Sequence, residues 1–77
     1  MAESAHNLTV DNAEVIAQWC KGIVVEEIDP DGNRFPGINV QCGIYVKRAS
    51  LGDWVVLLDN GDFDVMGPNR FTQWLLE

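Results

Sequence analysis

The stretch Trp54-Val-Val-Leu-Leu-Asp59-Asn60-Gly61-Asp62-Phe63-Asp-Val-Met66 decides how this chain is read. Two apolar runs flank Asn-Gly, a pair that favours a tight β-hairpin because both residues tolerate positive φ. A two-residue loop would pair Asp59 with Asp62, Leu58 with Phe63, Leu57 with Asp64, Val56 with Val65 and Val55 with Met66. Alternation along the strands then gathers Trp54, Val56, Leu58, Phe63 and Val65 on one face, which reads as core. The opposite face would carry Val55, Leu57 and Met66 among Asp59, Asp62 and Asp64. Those six residues are the candidate protein-binding site: an apolar strip with an acidic rim, suited to a basic partner unless another element covers it.

Upstream of the hairpin, Ala13, Ile16, Ala17 and Cys20 fall on one helical stripe, with Trp19 beside it. Thr9 or Asp11 offers an N-cap, and Asp11 with Glu14 has capping-box spacing. Lys21 suits the negative C-terminal end of a helix, and Gly22 is the expected residue beyond it. The reading is one amphipathic helix over Val10–Cys20, about three turns long. Ile23–Ile28 is β-branched and predicts a strand, and Asp29-Pro-Asp-Gly-Asn33 predicts a turn. Pro36-Gly37 reads as further loop. Ile38–Cys42 and Ile44–Arg48 read as a hairpin around Gly43, and Ala49–Asp53 as a connecting turn. Gly67-Pro68-Asn69 breaks the last strand, and residues 71–76 close the chain as helix or strand. The expected fold is α+β: an N-terminal helix packed on one mainly antiparallel sheet of four to five strands. Residues 1–8 are expected to be a flexible leader, and 9–77 one domain.

Seventy-seven residues are near the lower limit for an unstapled core, and a 47% hydrophobic composition with three tryptophans meets it. No run reaches the about 18 apolar residues of a membrane span, and the first residues do not resemble a secretory signal. A cytoplasmic location and no membrane partner are therefore expected. Cys20 and Cys42 lack C-x-x-C spacing and read as small apolar core residues. Twelve acids against five bases give a net charge of −7. That sign disfavours direct binding of DNA or RNA, whose affinity comes from neutralised phosphates.

Reactive chemistry is sparse. His6 is the single histidine and lies in the expected leader, so no nucleophile–base pair is in view. Asp29-x-Asp31-x-Asn33 matches the start of a calcium loop, but Gly32 is at the fourth position and Val40 at the twelfth, where a carboxylate is needed. The glycines are isolated turn residues and cradle no phosphate. The expectation is a protein that is not an enzyme, with no catalytic, metal or cofactor residues.

Two segments in order carry a family resemblance. Ala49-Ser-Leu-Gly-Asp-Trp-Val-Val56, then Asn60-Gly-Asp-Phe63 and Pro68-Asn-Arg-Phe71, resemble a small protein of tailed-phage and prophage genomes. That family has Ala-Ser-x-Gly-Asp-aromatic-Ile-Ile, a Gly-Glu-Phe hairpin return and a Lys-Pro-Asp-x-Phe closing turn. Asn12-Ala-Glu-Val-Ile-Ala-Gln-Trp-Cys-Lys-Gly22 is similar to its helix. The resemblance covers residues 9–76. This chain departs from it at Asp64-Val-Met-Gly67, where the family has Tyr-Pro-Cys-Lys, in a different second hairpin, and in lacking most of an opening strand. The resemblance implies a phage accessory protein of the host bacterial cytoplasm. It transfers no activity, and it implies turn roles for Gly52 and Gly61 and core roles for Trp54 and Phe63.

Three functions are consistent with this reading. The first is a non-catalytic protein that binds and modulates a host or phage protein. The second is an acidic mimic of nucleic acid that blocks a host DNA- or RNA-binding protein, which needs Glu26, Glu27, Asp29, Asp31, Asp59, Asp62 and Asp64 in one stripe. The third is a homo-oligomeric structural or minor virion component, with the hairpin strip against a symmetry mate.

Overall fold

Each apolar run of the chain finds a partner in one of two three-stranded antiparallel sheets. A computed structural model describes residues 4–76. In chain order these form β1 (Ser4–Asn7), α1 (Ala13–Cys20), β2 (Ile23–Ile28), β3 (Arg34–Cys42), β4 (Tyr45–Ala49), β5 (Trp54–Leu57), β6 (Phe63–Met66) and α2 (Pro68–Leu75). One sheet has the order β1-β5-β6 and the other β2-β3-β4. The mixed α/β character agrees with expectation. The single sheet of four to five strands does not, nor does a helix that leads the fold, because β1 precedes α1.

The leader is also corrected for its described part. Ser4–Asn7 pairs with Trp54–Leu57, and the next residue, Leu8, is 1% exposed. Leu8 donates its N–H to the Asp53 backbone carbonyl, and its own carbonyl accepts the Gly52 N–H, so the segment is bonded as well as packed. An opening strand is thus present, short as it is. Polar composition hid it: in β1 only Ala5 belongs to the apolar interior, packing beside Val56.

Helix α1 buries Ala13, Ile16, Ala17 and Cys20, the expected stripe, but begins later than expected. Asn12 is the N-cap, and its side chain accepts the Thr9 N–H and donates to the Asn7 carbonyl. The Asp11–Glu14 capping box does not form. At the other end Lys21, not Gly22, takes the left-handed conformation, at φ 57°. Gly22 has a different task. A Cβ there would lie 2.7 Å from the Asn39 carbonyl oxygen and 2.8 Å from Ile38 Cγ2, so glycine lets β2 leave the helix pressed against β3.

Pro36 and Gly37 lie within β3 rather than in a loop, opposite Glu26 and Val25. Proline is tolerated because β4 reaches back only to Ile38, leaving Pro36 no second neighbour to bond. Gly37 is buried beneath the Glu27 carboxylate.

The largest correction concerns the β5–β6 register. Gly61 donates to the Leu58 carbonyl, and Leu58 donates to the Asp62 carbonyl. The loop is therefore three residues, Asp59-Asn60-Gly61, with only Gly61 at positive φ, 89°. This is a turn closed by a glycine bulge rather than the two-residue loop. Asn60 stabilises it by accepting the Asp62 N–H. One more loop residue moves every pair by one: Leu57 faces Phe63, Val55 faces Val65, Val56 faces Asp64 and Trp54 faces Met66.

Both faces of this hairpin are consequently interior. Val55, Phe63 and Val65 pack with α1 residues, Ile38 and Val40 in the main core. Val56 and Met66 pack on the other side with Phe71 of α2. Phe71 stacks on Trp54 at 4.0 Å and 6°, with Trp74 at 6.0 Å beyond it. Residues 71–75 are therefore helix, started by Pro68 after an extended Gly67.

Candidate interaction surface

The register decides the fate of the expected strip. Val55 is 0% exposed and Met66 is 3% exposed, and they lie on opposite faces of β5–β6. Leu57 shares the Val55 face and is half-buried. The three side chains form no common surface, because α1 covers one side and α2 the other. The homo-oligomer reading that used this strip loses it for the same reason.

The acids of the strip are separated as well. Asp59 and Asp62 sit at the hairpin loop, where Asn60 donates to the Asp62 carboxylate. Asp64 is drawn into the fold. It receives the Lys47 ammonium at 2.7 Å and lies 3.9 Å from Arg70, joining β4, β6 and α2.

The remaining acids do not extend this group into a stripe. Glu26 and Glu27 are neighbours on β2 and so point to opposite faces. Glu26 pairs with Arg34 at 3.5 Å, while Glu27 crosses over Gly37 to Ser50 at 3.0 Å and Arg48 at 3.8 Å. Asp29 closes its own turn, accepting the N–H groups of Asp31 and Asn33. The Asn33 N–H is the main reason its carboxyl is held below the usual aspartate value. The calcium-like spacing thus serves a turn. Among the described residues no cluster of three or more His, Cys, Asp or Glu could hold a metal.

The two cysteines are free thiols, Cys20 buried and Cys42 half-buried. Burial pushes both thiols up, helped at Cys42 by nearby Asp64, which disfavours the reactive thiolate. His6 lies on β1 with its ring edge-on to Trp19 at 4.6 Å, and Trp19 meets Phe63 in the same way at 5.0 Å. Its role there is aromatic packing at the rim of the core. Gly52 and Gly61 occupy positive-φ turns. Trp54 and Phe63 do pack against the interior, but on opposite sides of the hairpin.

Among the described residues, six of the eleven exposed large apolar side chains lie on β2-β3-β4 and its turn, the others being Val10, Val15, Leu51, Leu75 and Leu76. Ile23 and Ile28 are 68% and 61% exposed on β2, and Ile44, Tyr45 and Val46 are 86%, 68% and 62% exposed at the β3–β4 turn and on β4. Opposed residues share a face, so Val24, Ile38 and Ala49 form one row. Ile38 and Ala49 are fully buried, whereas Val24 continues the row beyond the core.

Two grooves run along this outer strand. One, of about 410 Å³, is lined by Val24, Val25, Glu26, Arg34, Phe35 and Pro36. The other, of about 350 Å³, lies between β2 and α1 and is lined by Glu14, Ala17, Gln18, Lys21, Gly22 and Val24. None of these exposed residues belongs to the site expected from sequence. One signal was available: Ile23-Val-Val is three apolar residues in a row, which a strand buried on one face does not need.

No family model, curated protein or solved structure matches this chain. Among the described residues no helix is long and apolar enough to cross a membrane.

Proposed function

We propose that this chain is a small non-catalytic accessory protein, of phage origin, that binds a host or phage protein in the bacterial cytoplasm and modulates it. One observation carries the binding part: six large apolar side chains are exposed on the β2-β3-β4 sheet and its turn, while the β5–β6 hairpin of the other sheet is covered on both faces. A domain of this size has little apolar material to spare, and a clustered surplus at the surface marks contact with a partner. The phage origin rests on the ordered motifs at 12–22 and 49–71. The net charge of −7 favours encounter with a basic protein surface and disfavours nucleic acid.

Photo-crosslinking from Val46 and from Thr72 tests the reading. Val46 is exposed on β4, and Thr72 is exposed on α2, which covers the other sheet. In host cells expressing the protein, the probe at Val46 is expected to capture a discrete partner and the probe at Thr72 none. Capture from Thr72 alone, or from neither position, contradicts the proposed surface. A crosslink only to a second copy replaces the reading with self-assembly.

A further inference from the structure

Strand β2 ends its sheet, so every second residue turns its N–H and C=O away from β3. Such an edge is a template for another strand unless proline, a bulge or a charge guards it. Here β2 contains no proline, and its pairing with β3 runs without interruption from Ile23 to Ile28. Its two acids are drawn aside. Glu26 turns to Arg34, and Glu27 folds inward over Gly37 to Ser50 and Arg48. Val24 lines two grooves, one shared with β3 and the other with α1.

We propose that β2 accepts an extended segment of a partner protein as an additional strand, with apolar and basic residues alternating in that segment. Main-chain bonds to the edge supply affinity, and the two grooves select side chains. An apolar side chain fits beside Phe35 and Pro36. A basic one meets Glu14 in the groove against α1, which Lys21 also lines, and Asp31 stands exposed just past the far end of the strand. A second copy is the poorer occupant, because each chain carries −7. This inference rests on the protein-binding reading above and narrows it to one edge and one partner chemistry.

The test uses the full chain and two end-capped peptides, one alternating valine with lysine and the other valine with glutamate. The lysine peptide is expected to bind at least about tenfold more tightly, since only its charge complements the chain's net charge of −7. It should slow amide exchange at alternate residues of β2 and leave β5 unchanged. Proline placed at Val24 and at Val25 in turn gives one folded variant, because adjacent N–H groups point opposite ways. That variant is expected to lose the peptide. Should both proline variants unfold, Val24→Lys puts a charge where the grooves meet and is expected to weaken lysine-peptide binding about tenfold, a loss that charge repulsion predicts. Equal binding of the two peptides, protection at β4 instead of β2, or dimerisation through β2 without peptide overturns the inference. A partner captured from Val46 while neither peptide protects β2 overturns it and leaves the protein-binding reading standing. Failure of both experiments removes both.

Discussion

The two sheets of this molecule are equal in strand number and opposite in exposure. In β1-β5-β6 both faces of the central hairpin are covered, by α1 and β3 on one side and by α2 on the other. In β2-β3-β4 one face packs on the core only around Ile38, Val40 and Ala49, and the rest of the sheet is open. The difference teaches where selection for packing ends. Apolar residues in the first sheet are explained by the fold, and the exposed ones in the second are not.

Removing the cover of the first sheet should have the largest effect. Phe71 is 8% exposed, stacks on Trp54 and holds α2 over Val56 and Met66. Phe71→Ala is expected to cost about 3 kcal/mol, read as a lower urea midpoint. A loss within experimental error would mean that α2 does not seal this sheet, and the contrast between the sheets would fail. Next is the junction that ties the open sheet to α1. Gly22→Ala drives a methyl group into the Asn39 carbonyl and Ile38, and is expected to cost about 2 kcal/mol of overpacking. An unchanged midpoint would show that β2 can move away from α1 freely.

The hairpin loop sharpens the comparison at a smaller scale. Gly61 holds φ 89°, so Gly61→Ala is expected to cost about 1 kcal/mol of backbone strain. The variant should keep the register of Leu57 opposite Phe63, seen as unchanged cross-strand contacts by nuclear magnetic resonance. A switch to Leu58 opposite Phe63 would show that the bulge, not burial of both faces, selects the pairing.

That register is also where the sequence ceased to be legible. Helix α1, strands β2, β4, β5 and β6, the Ile38–Cys42 part of β3 and the turns at Asp29 and Gly43 follow from periodicity and turn chemistry. Asn60-Gly61 is compatible with a loop of two or three residues, and the choice depends on what covers each face. Burial of Val55 and Val56 alike satisfies both sheet faces only with α1 and α2 in place, a tertiary fact. The candidate strip failed on that single residue of register. Strand β1 was missed because its stabilisation lies in pairing with β5, which the side chains of Ser4, His6 and Asn7 do not announce. The exposed residues of β2 and β4 read as ordinary strand, since propensity does not record which edge is left open.

The smallest expected effect is a pH dependence at the turn joining β2 to β3. Asp29's carboxyl is held below its usual value, first by the Asn33 N–H, so it titrates lower in the folded chain than in the unfolded one. Its contribution is present above the usual aspartate value and is lost as pH falls through the lowered one. Asp29→Asn keeps an oxygen acceptor but does not titrate. Melting temperatures across that acidic range are expected to fall in the unsubstituted protein relative to the variant. Parallel curves would remove the turn's ionic component.

The central claim, that the open sheet is the interacting one, is tested most directly by amide exchange with and without the partner captured from Val46. Slowed exchange across Ile23–Ile28, with Trp54–Leu57 and Phe63–Met66 unchanged, is the predicted result. Protection confined to β5 and β6, with β2 exchanging as in the free protein, would contradict it.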